Sequence, residues 1–125
     1  MRFDDLDKIM RTYEESLDQY IEPNKYIIAR LDGRSFTKLT KETCDFKKPF
    51  DENFYKIITN VCLDIFNQFA PKFIYAFSDE ISILLDEIPF SGRVEKINSV
   101  FASLASSSFT YNLLNDYSNK FDLYN

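Results

Sequence analysis

The order of apolar patterns along the chain predicts an α+β domain of ferredoxin-like βαββαβ topology. This is an antiparallel sheet with helices on one face, here preceded by an extra N-terminal helix. Three observations predict it. Two apolar stretches at helical spacing flank residues 73–85. Between them, two short β-rich runs meet across three polar residues, as in a hairpin. A further β-rich run precedes the first stretch, at residues 25–31, and another follows the second, at 121–124.

The leading helix spans Asp5 to about Tyr20, since Leu6, Ile9, Met10, Tyr13, Leu17 and Tyr20 recur at helical spacing. Pro23-Asn24 stops it. Lys25 to Leu31 reads as a buried strand ending at the sharp turn Asp32-Gly33, and Ser35 to Lys41 as one or two helical turns. Pro49-Phe50-Asp51 looks like a helix start with Asp51 as the cap. Phe54, Ile57, Ile58, Val61, Cys62, Ile65, Phe66 and Phe69 then form a broad apolar stripe, and Pro71 closes it. Phe73–Phe77 and Ile81–Leu85 are strands joined across Ser78-Asp79-Glu80. After Pro89-Phe90-Ser91-Gly92 a long helix runs from about Val94 to Leu114, with Ile97, Val100, Phe101, Leu104 and Ala105 as its stripe. The small triplet Ser106-Ser107-Ser108 follows, read as room for close approach of helix to sheet. Phe121–Tyr124 begins the last strand.

Length and composition fit one domain. A chain of 125 residues buries about two-thirds of its unfolded surface, and 45% apolar residues supply the core. No apolar run approaches the ~20 residues that cross a bilayer. The acidic start, Met1-Arg2-Phe3-Asp4-Asp5-Leu6-Asp7, is unlike a signal peptide. Cys44 and Cys62, with no His in the chain, make neither a disulfide framework nor an ordinary zinc site. Both are expected as reduced thiols of a cytoplasmic protein, with Cys62 in the core. The net charge of −5 argues against a general nucleic-acid coat protein. It is unevenly spread: residues 25–48 set Lys25, Arg30, Arg34, Lys38, Lys41, Lys47 and Lys48 against Asp32, Glu42 and Asp45. Such a segment suits a phosphate-handling surface, or a plain solvated loop.

The chemistry concentrates in Asp32, at the end of the first strand, and Asp79 with Glu80 at the hairpin tip. In βαββαβ topology the first and third strands are neighbours, so these distant acids meet. Two carboxylates brought together repel unless a cation lies between them. An all-oxygen ligand set favours magnesium over zinc. Paired Mg²⁺ ions at such acids would orient a triphosphate and stabilise attacking and leaving oxygens. Each motif alone reads more readily as a turn cap or a polar hairpin; their convergence shifts the weight to a shared site. Gly33 allows close backbone approach, with its carbonyl a candidate ligand. Arg34, Lys38 and Lys48 are candidate phosphate clamps, against a reading as solvated charge. Phe36 either packs beneath the loop or stacks on a base. Arg93 and Lys96, at the start of the long helix, read as solvated unless they reach a triphosphate or an RNA end.

These residues also carry a resemblance. Ala29-Arg30-Leu31-Asp32-Gly33-Arg34-Ser35-Phe36-Thr37-Lys38-Leu39 resembles the first signature of the tRNA-histidine guanylyltransferase family, and Phe46-Lys47-Lys48-Pro49-Phe50-Asp51 its continuation. Ser78-Asp79-Glu80-Ile81-Ser82 resembles the second, metal-binding signature. The opening Phe3-Asp4-Asp5-Leu6-Asp7 and Tyr13-Glu14 are similar to the bacterial, archaeal and phage branch of guanylyltransferase-like proteins. The resemblance covers essentially the whole chain, in order.

It implies a palm-domain enzyme that extends tRNA in the 3′-to-5′ direction. A tRNA 5′-monophosphate is activated with ATP or GTP, and the 3′-hydroxyl of GTP then attacks the activated phosphate. Asp32 and Asp79 would hold two Mg²⁺ ions, with the Gly33 carbonyl. Asp32, Gly33, Arg34, Ser35, Phe36 and Thr37, together with Ser78, Asp79 and Lys48, would hold nucleotide, and Glu80 would support the site. The opening motif favours repair of truncated 5′ ends over single guanine addition to histidine tRNA. Two departures stand out. Ala76 occupies a position where the family tends to carry Gly, and family chains, usually tetrameric, are longer, so residues 1–125 read as the catalytic half: a fragment, a truncated product or a degenerate copy, without the residues that bind the second nucleotide and help form the tetramer. Two other readings share the fold. A cyclic-nucleotide palm enzyme is disfavoured by the absence of a Gly-Gly-Asp-Glu-Phe-type hairpin. A non-catalytic RNA-binding module is disfavoured by strands without an aromatic-basic signature.

Overall fold

Alternation along one strand organises the sheet. In β3 (Glu80–Leu85) the side chains of Ile81, Ile83 and Leu85 are 4%, 0% and 1% exposed, while the residues between them turn to the opposite face. In this computed structural model, described over residues 2–34, 36–38 and 52–117, β3 is flanked antiparallel on one side by β1 (Ile27–Asp32) and on the other by β2 (Phe73–Phe77). The strand order is therefore β1-β3-β2. The first and third strands are neighbours, as the topology requires. Register sets Leu31 opposite Ile81 and Asp32 opposite Glu80. The predicted last strand, 121–124, lies outside the described residues.

Two helices cover the inner face. α3 (Glu52–Phe69) buries Ile57, Ile58, Val61 and Ile65, and α4 (Val94–Tyr117) contributes Ile97 and Phe101. The sheet side of the core is Ile81, Ile83 and Leu85, with Ile27, Ala29, Leu31 and Ile74 packed around them. Each fully buried aliphatic or Phe side chain is worth roughly 1.5–3 kcal/mol of transfer free energy, so this layer supplies most of the domain's cohesion. Cys62 is half-buried against the core, and burial pushes its thiol pKa up. Phe66, placed on the stripe by its spacing, is instead 49% exposed. The predicted cap Asp51 lies outside the described residues. α3 ends where Ala70 turns to φ +44° and its N–H donates to the Phe66 carbonyl, before buried Pro71.

The extra helix, α1 (Phe3–Glu15), starts and stops earlier than its spacing suggests. Asp4 and Asp5 in its first turn favour the early start. At the other end the Leu17 and Asp18 N–H groups donate to carbonyls three residues back, and Tyr20 leaves to pair with Arg93. α1 buries none of its residues; Leu6, Ile9, Met10 and Tyr13 stay exposed. What holds this segment is the turn before α4: Ile21 N–H donates to the Gly92 carbonyl, and Val94 N–H to Gln19. Gly92 has φ +79°, a conformation that glycine adopts without strain. The outer face of the sheet is uncovered among the described residues, and β2 places Phe73, Tyr75 and Phe77 on it in a row. No helix among the described residues is long and apolar enough to cross a membrane.

Candidate active site at the β1 end and the hairpin tip

The two acidic segments are physically joined. β1 runs out at Asp32 where antiparallel β3 begins, and the next backbone bond continues the ladder: Gly33 N–H donates to the Asp79 carbonyl over 3.1 Å. The hairpin loop is only Ser78-Asp79, since Glu80 already pairs with Phe77. Ser78 has φ +55°, costing a non-glycine residue roughly 1–2 kcal/mol. That strain turns the chain tightly enough to set Asp79 beside Gly33.

Asp32 and Asp79 line one cleft of about 420 Å³, within the size range of ligand pockets. Its mouth carries Asp32, Gly33, Arg34 and Asp79. The floor is apolar, from Leu31, Ile81, Ile58 and Val61. The far wall is one face of α4, where Ala102, Ala105, Ser106, Phe109, Thr110 and Leu113 recur at helical spacing. α2 (Phe36–Lys38) follows the mouth, and its Phe36 ring closes one end. The ring lies 4.9 Å from Phe109 and 6.2 Å from Phe54, centroid to centroid. It also explains Gly33, because a Cβ at that position would meet the ring at 2.2 Å. The packing reading of Phe36 therefore holds, and its ring still borders the cleft.

The remaining sequence candidates scatter. Glu80 turns to the outer face, where it pairs with Arg30 at 2.6 Å and does not line the cleft. That contact raises the Arg30 pKa, first through its hydrogen bond to Glu80 and then through the carboxylate's charge. Ser78 is exposed at the tip; Lys38 is exposed on α2; Thr37 lies within α2; Ser35 and Lys48 lie outside the described residues. Arg93 faces the N-terminal segment, reaching Asp18 at 3.0 Å and Glu14 and Glu95 at 3.5 Å, and Lys96 sits over the Phe90 ring. The serine triplet divides: Ser106 lines the cleft, Ser107 bonds the Leu104 carbonyl, and buried Ser108 donates to Asp64 on α3. The last contact is helix to helix, not helix to sheet. The sequence reading missed the α4 wall, although Ala102, Ala105, Phe109 and Leu113 form a second stripe beside the first.

Among the described residues no cluster of three or more His, Cys, Asp or Glu side chains is present. The oxygen donors at the mouth are thus two carboxylates and nearby backbone carbonyls, a set that suits a hard cation completing its shell with water or phosphate oxygens.

Comparison with known proteins points one way. The family model Thg1, described as tRNAHis guanylyltransferase, matches residues 7–124. An uncharacterized protein of Acanthamoeba polyphaga mimivirus is 33% identical over 129 aligned positions, covering 87% of this chain and 43% of the viral protein. The tRNA(His) guanylyltransferase of Kluyveromyces lactis is 34% identical over 91 positions, covering 70% of this chain and 38% of the yeast protein. A bacterial Thg1-like protein solved in complex with GTP superposes with a TM-score of 0.81 and 29% identity, over 94% of this chain and 58% of the solved one. The chain therefore spans about two-fifths of these curated relatives.

Proposed function

The chain belongs to the Thg1 family of tRNAHis guanylyltransferases, and from that premise we propose that it carries the nucleotide-binding and catalytic part of a tRNA 5′-end nucleotidyltransferase. In this reading a tRNA 5′-monophosphate is activated with ATP or GTP. The 3′-hydroxyl of GTP, or of a templated nucleotide, then attacks it, extending the tRNA 3′ to 5′. The observation that carries the proposal is that Asp32 and Asp79 line one cleft while a backbone hydrogen bond ties their loops together. Support also comes from the solved relatives of this fold, whose complexes contain GTP and ATP.

The donor set fits Mg²⁺, with Asp32, Asp79 and the Gly33 carbonyl as ligands for two ions. When bound, the metal supplies charge stabilisation for phosphoryl transfer. The protein's own groups do the rest. The backbone that carries the two carboxylates is fixed by β1 and the hairpin before substrate arrives, so little main-chain reorganisation is needed on binding. Arg34 at the mouth donates to phosphate oxygens, joined by Ser35, Thr37, Lys48 and Ser78 as the nucleotide is engaged. Phe36 and the apolar floor exclude water from the nucleoside end. Glu80 acts behind this layer, holding Arg30 and so the outer face of the β1–β3 ladder. The tRNA, a cytoplasmic setting and assembly into a homo-oligomer belong to the same proposal.

The test is incorporation of nucleotide at the labelled 5′ end of a monophosphorylated tRNA with ATP, GTP and Mg²⁺, using intact and 5′-truncated tRNA. Preferential addition to the truncated substrate identifies repair, and addition to intact histidine tRNA identifies guanine transfer. Calorimetry should show Mg²⁺-dependent GTP binding that Asp79→Ala abolishes. The absence of both incorporation and metal-dependent GTP binding would overturn the proposal.

A further inference from the structure

α4 carries six hydroxyl side chains between Ser99 and Thr110, and five of them are satisfied within the protein. Ser99, Ser103 and Ser107 donate to carbonyls three residues back, Thr110 to the Ser106 carbonyl, and Ser108 to Asp64. Ser106 is the exception: exposed, its hydroxyl has no hydrogen-bond partner among the described residues, and of the six only Ser106 and Thr110 line the cleft. Thr110 has already committed its proton. Ser106 thus offers a free donor and acceptor on a wall whose other hydroxyl, Thr110, is engaged and whose remaining side chains are apolar.

The cleft is chemically polarised. Its charged groups, Asp32, Arg34 and Asp79, come from the β1 end and the hairpin tip, and its aromatic and aliphatic groups come mainly from α2, α3 and α4. Phosphates are costly to bury against such a floor, whereas a nucleoside is not. Base–aromatic stacking and a few placed polar groups are what a nucleoside subsite requires.

Resting on the nucleotide-binding reading above, we propose that Ser106 Oγ is the hydrogen-bonding contact of the α4 wall to the nucleoside part of the bound triphosphate. The alanines at 102 and 105 leave the space that lets the nucleoside reach it. Ser106 is a specificity residue for the non-phosphate moiety, and the carboxylate end serves the triphosphate.

Calorimetry on the 125-residue chain in Mg²⁺ tests this, with GTP, its 2′-deoxy and 3′-deoxy forms, and inorganic tripolyphosphate as probes. Ser106→Ala, a substitution that favours the helix, is expected to weaken GTP about fivefold, the loss of one ordinary hydrogen bond. It should leave tripolyphosphate unchanged. Ser107→Ala, one residue along and outside the cleft, should leave both unchanged. If one deoxynucleotide already shows the weakened affinity and Ser106→Ala adds nothing to it, the missing sugar hydroxyl is the partner. Equal losses for all three nucleotides make the base edge the partner. GTP affinity unchanged in Ser106→Ala, or an equal loss for tripolyphosphate, overturns the assignment while leaving the nucleotide site standing. A wild-type chain that binds no GTP overturns the site itself.

Discussion

Replacing Gly33 by Ala tests how the loop after β1 is built. A methyl group at Gly33 would lie 2.2, 2.5 and 2.7 Å from three carbons of the Phe36 ring, far inside van der Waals contact. The φ of Gly33 lies outside the left-handed region, so the penalty is steric and not conformational. The ring is braced by Phe109 and Phe54, so it yields only by giving up those contacts. Overpacking of this kind costs about 1–3 kcal/mol, a fall in melting midpoint of roughly 4–11 °C for a domain of this size. Phe36→Ala alone, which empties a half-buried position, should cost about 2 kcal/mol. The decisive variant is the double one. With the ring gone, the three nearest clashes are removed, so the pair should be destabilised little more than Phe36→Ala by itself. That is a coupling of about 1–3 kcal/mol in a double-mutant cycle. Urea denaturation monitored by tyrosine fluorescence and circular dichroism, with m held constant, measures it. Strict additivity would refute the claim that Gly33 is small because of Phe36.

Three further outcomes follow from the packing. Ser108→Ala should cost about 1–3 kcal/mol in urea denaturation, because the Asp64 carboxylate and Asn112 amide lose a shared partner between α3 and α4. Arg93→Ala should speed amide exchange across residues 14–21 while leaving the core amides slow, since Arg93 pins that segment through Asp18 and Glu14. Unchanged exchange there would refute the role. Cys62 should react with a thiol reagent more slowly than free cysteine at pH 8, because burial raises its pKa. For the same reason folding stability should fall as pH climbs past the ordinary thiol range of about 8.5, and Cys62→Ala should flatten that slope.

The fold was legible because its signals are periodic and local. Ile81, Ile83 and Leu85 alternate, Ile57, Ile58, Val61 and Ile65 follow a helical stripe, and together they dictate a sheet with helices on one face. The meeting of Asp32 with Asp79 followed from strand order alone. What the pattern concealed depends on partners distant in sequence. Spacing makes Phe66 look buried, but no element covers that side of α3 among the described residues. Glu80 reads as one acid of a pair with Asp79, and only its ion pair with Arg30, a diagonal neighbour on β1, shows its carboxylate engaged outside the cleft. Ser106 and Ser108 are indistinguishable in a run of serines; helical rotation sends one to the cleft and the other to Asp64. Phe109 could be assigned to the site only once Phe36 was seen against it.

The hydrogen bond from Gly33 to Asp79 makes interstrand spacing the ruler for the two acidic side chains. Adjacent strands keep their separation to within a few tenths of an ångström, at about 4.7–4.9 Å. The carboxylates' starting points therefore inherit the tolerance of a β-ladder instead of that of a loop. Sequence drift in the connecting segments, or in the helices behind, can proceed without detuning that gap, provided the last rung stays intact.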